Sequence, residues 1–76
     1  MGFCVGDLIR VTHKTYEPFT YETFLGMFLG REEVGQYCVR YTFLSNNGIR
    51  TVIDSRRKTR NRYEVISENL PASGLG

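Results

Sequence analysis

Along residues 36–44, QYCVRYTFL, bulky apolar or aromatic side chains fall on every second position. Tyr37, Val39, Tyr41 and Phe43 share one face, and Cys38, Arg40, Thr42 and Leu44 share the other, which is the period of a strand with one side buried. Comparable runs rich in β-branched and aromatic residues occur in DLIRVTHK (7–14), TYETFLGMFLGRE (20–32), SNNGIRTVID (45–54) and RYEVIS (62–67). No segment carries the period of an amphipathic helix. Gly26 and Gly30 interrupt the second run, and glycine inside a strand marks a bulge or a tight bend. Asn47-Gly48 predicts a hairpin of type I′, in which both central residues need positive φ. GREEVGQY (30–37) predicts a hairpin loop. THKTYEPFTYE (12–22) predicts a longer loop in which Pro18 keeps Glu17 extended.

Five short strands with frequent turns predict an all-β fold: a small SH3-like barrel of about five strands over residues 1–68, with a short flexible C-terminal tail over 69–76. An OB-like barrel is the alternative small architecture. Closure would remove the exposed sheet edges that otherwise aggregate. A chain of 76 residues buries only about 60% of the surface its unfolded form exposes. That favours a module that presents a surface over an enzyme built around a deep pocket.

Candidate chemistry is sparse. His13 has no Ser or Cys partner nearby, Asp7 beside Gly6 reads as a turn former, and Glu32-Glu33 reads as solvated loop. No glycine-rich phosphate loop is present, since Gly26 and Gly30 fit neither phosphate-loop spacing. The expectation is no enzymatic activity, no cofactor and no metal. Cys4 and Cys38, each among apolar neighbours, are expected to be small buried thiols in a reducing compartment. The opening MGFCVG lacks the Ser or Thr of a myristoylation signal and the basic start of a secretory one. No apolar run reaches the roughly 18 residues of a membrane helix, so no membrane partner is expected.

Charge changes the picture. Arg56, Arg57, Lys58, Arg60 and Arg62 are half of the ten basic residues and fall within seven positions without an intervening acid. The rest of the chain holds five basic and eight acidic groups, a net of −3. Arg outnumbers Lys in the cluster, and the guanidinium fork grips phosphate oxygens in pairs and stacks on bases, which suits RNA. Arg40, within an alternating strand, suggests a second surface partly covered by a partner. Arg50, just beyond the turn, adds to the same positive surface.

The order of short motifs resembles a known family. FCVGDLIRVT is followed by TFLGMFLGR, YCVR, NGIRTVI and RYEVI, and the series resembles bacterial-type large-subunit ribosomal protein nineteen, more closely its mitochondrial form. Phe3, Gly6, Phe24, Gly26, Arg31, Arg40, Gly48 and Val65 are the matched positions. The resemblance implies an SH3-like barrel that is a structural constituent of the large ribosomal subunit in translation. It implies binding to large-subunit ribosomal RNA, with large-subunit protein fourteen among its neighbouring ribosomal proteins and small-subunit RNA across an intersubunit bridge. It also implies Arg31 and Arg40 as RNA contacts, and the mitochondrial matrix as the location, with the cytoplasm as the alternative.

Where the family often has proline and apolar residues before its last strand, this chain has Arg56–Arg62. RNA binding there rests on charge alone. The helical segment that usually precedes the barrel and the basic C-terminal extension are also missing from the pattern. The expected RNA-binding set is Arg31, Arg40, Arg50, Arg56, Arg57, Lys58, Arg60 and Arg62. Two other readings compete. One is an SH3-like protein-interaction adaptor with no ribosomal role, using Tyr16, Phe19 and Tyr21 as groove aromatics. The other is a regulatory barrel of phage or host that acts on nucleic acid.

Overall fold

The computed structural model describes residues 2–16 and 19–68. They form five strands: β1 (Leu8–Tyr16), β2 (Phe19–Glu33), β3 (Cys38–Ser45), β4 (Gly48–Ser55) and β5 (Arg62–Ser67). Every neighbouring pair is antiparallel, and the order across the single sheet is β4-β3-β2-β1-β5. The expected all-β class is what is found. Helices are absent among the described residues, so no helix there is long and apolar enough to cross a membrane.

The sheet curls without closing. No ladder joins β4 to β5 among the described residues, so these two strands are its edges. The curl shows in the side chains. Tyr41 on β3 and Tyr63 on β5, which have two strands between them in the sheet, bring their rings to 5.2 Å. The ring of Phe3 lies 5.5 Å from Tyr63 and 4.8 Å from Phe28, edge-on to the latter. A sheet with one apolar face bends over that face to cover it where, as among the described residues, no second layer packs on it.

The alternation read from the sequence places that core. Val39, Tyr41 and Phe43 point inward from β3, Ile9 and Val11 from β1, Phe28 from β2 and Val52 from β4. Phe24, Tyr63 and Val65 pack against them. Burying a side chain such as Phe43 or Ile9 contributes about 1.5–3 kcal/mol, so this handful of residues carries much of the fold. Phe3 is delivered to the core by a turn stitched onto β2. Gly6 N–H donates to the Phe28 carbonyl, Phe28 N–H donates to that of Asp7, and the Asp7 carboxylate accepts from Cys4 N–H. Asp7 is thus a turn former, and a buried one.

Several expectations change. Residues 12–22 are not a long loop, because β1 and β2 pair as far as Tyr16↔Phe19. Threonine hydroxyls bond across this hairpin at Thr12–Thr23 (3.0 Å) and Thr15–Thr20 (2.8 Å). Cross-strand threonine pairs of this kind support a ladder whose outer face is polar. The expectation for Glu17 and Pro18 lies outside the described residues, as does that for the tail over 69–76. The hairpin loop at 30–37 shrinks to residues 34–37, since β2 runs on to Glu33.

Asn47-Gly48 does sit at a hairpin, but not a type I′ one. Of the two, only Gly48 has positive φ (105°), and no non-glycine residue among those described does. Asn46 and Asn47 form the turn, and glycine in the left-handed region follows it, as in a type I turn closed by a bulge. Of the glycines inside β2, Gly26 is buried and serves a close approach, while the ladder shifts register between Phe28 and Gly30. Leu29 is the extra residue there.

The thiols also differ from expectation. Cys4 is exposed and Cys38 half-buried, because Cys4 belongs to the N-terminal turn and Cys38 to the outward face of β3. That outward face holds a further surprise. Leu8, Met27, Leu44 and Ile49 are in register from one strand to the next, forming an apolar row across four strands on the solvent side. Ile49 is 62% exposed.

Candidate nucleic-acid interface

The basic cluster forms the connection between β4 and β5, and a buried acid organises it. Asp54, near the end of β4, is only 4% exposed. Its Oδ1 accepts the backbone N–H groups of Ser55 (2.7 Å) and Arg60 (2.8 Å), and its Oδ2 accepts the Tyr63 hydroxyl (2.8 Å). Ser55 Oγ accepts the backbone N–H groups of Arg57 (3.2 Å) and Lys58 (3.3 Å). Asn61 Nδ2 donates to the Tyr63 hydroxyl and to the Ile53 carbonyl on the open edge of β4. The loop's backbone donors therefore turn inward onto Asp54 and Ser55. Burial, first of all, pushes the ionisation of Tyr63 well above the usual tyrosine range, and its bond to Asp54 acts in the same direction.

With its backbone satisfied inside, the loop presents its side chains outward. Residues 56–60 and Arg62 are all exposed. Lys58, Arg60 and Arg62 make no ion pair among the described residues. Arg57 lies over the ring of Tyr37 at 4.3 Å. Tyr37 is therefore not a core residue, as the alternation had suggested. It falls just before β3 begins and serves as a platform for the loop. Arg56 is tied further down: its N–H donates to the Tyr37 carbonyl, and its guanidinium lies 3.2 Å from Glu33 and donates to the Gln36 carbonyl.

The remaining expected contacts are scattered. Arg40 pairs with Glu32 directly across the β2–β3 ladder. Arg50 pairs with Glu22 and covers the ring of Phe24 at 4.3 Å. The Arg50 hydrogen bond, ahead of other influences, holds the Glu22 carboxyl below the usual carboxylate range. Arg31 is exposed on β2 and makes no ion pair among the described residues. Arg40, Arg50 and Arg56 thus already have carboxylate partners within the chain. Lys58, Arg60 and Arg62 stand together with none among the described residues.

Beside the loop runs a feature that sequence reasoning missed. β5 pairs with β1 only from Leu8 to Thr12, which leaves the far half of β1 without a neighbour on that side among the described residues. Between it and the open edge of β4 lies a groove of about 1090 Å³, with Lys14, Phe19 and Tyr21 on one wall and Tyr37, Ile53, Lys58 and Arg60 on the other. Among the described residues, Asp54 is the one acid along it. A smaller groove of about 490 Å³ shares Tyr21, Arg60 and Asn61 with it and continues to Arg62. The only signal in the sequence was the run of aromatics in THKTYEPFTYE. No group of three or more His, Cys, Asp or Glu suited to a metal ion occurs among the described residues.

No family model, curated protein or solved structure matches this chain. Of the eight positions that carry the ribosomal resemblance, six serve the fold. Phe3, Phe24 and Val65 belong to the core or pack on it, Gly6 and Gly48 take positive φ, and Gly26 lets β2 approach Phe43.

Proposed function

We propose that this protein is a non-enzymatic RNA-binding module that grips the phosphate backbone with its β4–β5 loop. The observation that carries this reading is the pairing of a buried Asp54, which fixes the loop's backbone, with Lys58, Arg60 and Arg62 displayed without carboxylate partners among the described residues. A pre-shaped cationic loop loses little freedom on meeting a polyanion, and each phosphate contact releases counterions. The setting we propose is the large ribosomal subunit, in the mitochondrial matrix or, alternatively, in the cytoplasm. Large-subunit RNA would lie against this loop, with large-subunit protein fourteen and small-subunit RNA as further neighbours. The ribosomal setting rests on the motif order in the sequence, and the RNA reading rests on the loop.

Sedimentation of the tagged protein through a gradient of cell or organelle extract tests both levels. Migration with the large subunit that persists at high salt is the expected result. Migration at the top of the gradient at moderate salt would remove the ribosomal setting, and failure of the purified protein to bind RNA would remove the RNA reading as well.

The apolar row Leu8–Met27–Leu44–Ile49 favours a second reading, an interaction adaptor that docks a protein on its outer face. In that case Ile49→Lys abolishes partner capture, while charge-neutral variants of the β4–β5 loop leave it intact.

A further inference from the structure

We infer that the open seam between the β1–β2 hairpin and the β4–β5 loop is a track for a single-stranded stretch of RNA, with a base stacked on Tyr21 and flanking phosphates on Lys58, Arg60 and Arg62. This rests on the RNA reading above and specifies the form of RNA that the site takes.

Tyr21 is the central observation. It is 68% exposed, and its ring makes no aromatic or cation contact among the described residues. Its surroundings use their rings differently: Tyr37 is capped by Arg57, and Phe19 has Lys14 over it at 4.6 Å. Tyr21 also lies where the two grooves meet, since it lines both of them together with Arg60 and Asn61. A nucleotide chain following the grooves passes this ring midway, with cations before and after it.

The chemistry of the walls selects the occupant. Base stacking on an exposed ring beside a positively charged channel is how proteins hold single strands irrespective of sequence. A duplex keeps its bases stacked inside and meets the protein with its backbone and groove edges, so it leaves Tyr21 unused. An extended peptide could pair with the open edge of β4. A neutral one, however, would leave Lys58, Arg60 and Arg62 without a counter-charge. The carboxylate in the groove does not repel a polyanion strongly, because both oxygens of Asp54 are turned to donors within the protein.

The test is fluorescence anisotropy on the full chain with a labelled single-stranded RNA of about eight nucleotides, within the usual site sizes for small β modules. The same sequence as a duplex and an oligoglutamate peptide serve as comparisons. The single strand is expected to bind more tightly than the duplex. Tyr21→Ala and Tyr21→Leu should weaken it by about 5- to 150-fold, the range of one lost base stack. Tyr21→Phe should restore it, and the salt dependence should stay unchanged in all three variants. Salt-dependent RNA binding that is indifferent to Tyr21→Ala would overturn the track while leaving the cationic loop as the RNA site. Absence of RNA binding by the unaltered protein would overturn both. Binding of oligoglutamate in place of RNA, with the same loss in Tyr21→Ala, would assign the seam to an acidic peptide and overturn the inference.

Discussion

The carboxylate of Asp54 and the backbone N–H of Arg60 meet at 2.8 Å across the turn that leaves β4, six residues apart in sequence. That bond, with the Tyr63 hydroxyl on the other oxygen, makes the most basic segment of the chain a folded one. A cluster of like charges on a free loop would spread apart. Here the backbone is drawn inward by a single acid, and the cations project from it.

Asp54→Ala should therefore separate shape from charge. The substitution removes a negative charge from beneath the basic loop, so electrostatics alone predicts tighter RNA binding. We expect weaker binding, because the loop loses its anchor. Two backbone N–H groups and one hydroxyl lose their acceptor, and stability should fall by roughly 2–3 kcal/mol, as for buried donors left unpaired. Urea unfolding measures the second effect. Binding assays in the cold, where the variant stays folded, measure the first. Tighter binding would show that the loop works as loose charge.

The cations should divide by their partners. Replacing Lys58, Arg60 and Arg62 together with Gln should lower the log–log salt slope for single-stranded RNA by about 2 in magnitude, near 0.7 for each phosphate contact. Arg40→Gln and Arg50→Gln should change it far less, since those guanidinium groups are engaged by Glu32 and Glu22. Equal effects from the two sets would place the phosphates elsewhere.

Gly26 sits under the inner face of β3. A Cβ built there would fall 2.8 Å from Cβ of Phe43 and 3.3 Å from the ring of Phe24. Neither the backbone-fixed Cβ nor the fully buried Phe43 ring has room to retreat. Gly26→Ala should cost about 1–3 kcal/mol through overpacking, read as a lower denaturation midpoint.

Tyr63 gives the fold a dependence on alkali. Its hydroxyl loses a proton far less readily in the folded protein than in the unfolded chain, where the value lies near 10. A raised value in the fold means that the contribution is complete below about pH 10 and is lost as pH climbs beyond it. The stability advantage of the unaltered protein over Tyr63→Phe should accordingly be constant at neutral pH and decline above about pH 10. A titration of tyrosinate absorbance should show Tyr63, and to a lesser degree the burial-shifted Tyr41, ionising late.

Glu22 acts at the opposite end of the scale. Its carboxyl is held low by Arg50, with His13 Nε2 at 3.6 Å contributing a smaller share. A lowered value in the fold means stability that is present above the unfolded value of 4.5 and is lost as pH falls through the folded one. The difference in urea midpoint between the unaltered protein and Glu22→Gln should shrink on acidification and vanish well below pH 4.5. A difference that persisted in strong acid would mean that packing, not charge, carries it.

Much of this architecture was legible in the order of residues, and the exceptions share a cause. The alternation in β3 and the cluster RYEVIS marked strands because one face of each is apolar. The hairpin of β1 and β2 was hidden, since its outer face is built of Thr, Lys and Tyr and Pro18 interrupts the stretch in sequence. There the ladder is supported by threonine pairs rather than by burial. Arg50 looked like a free cation, because its partner Glu22 is 28 residues away and only the curl of the sheet brings them together. Nothing in the sequence singled out Asp54, because its partners come from the loop that it organises. Of the seam only the aromatics of THKTYEPFTYE could be read, and not its position, since a gap between strand ends depends on where pairing stops. The six matched positions that serve turns and core explain why a motif series of this kind recurs in small β folds.

The apolar row across Leu8, Met27, Leu44 and Ile49 bears on how much of this protein a cell can hold. A lone copy keeps Met27, Leu44 and Ile49 in water beside a half-buried Leu8, next to two unpaired strand edges, and such surfaces draw like molecules together. Copies made beyond the number of places that cover this row would clump or be cleared by proteolysis. Its abundance would then track the supply of whatever shields that face more closely than its own rate of synthesis.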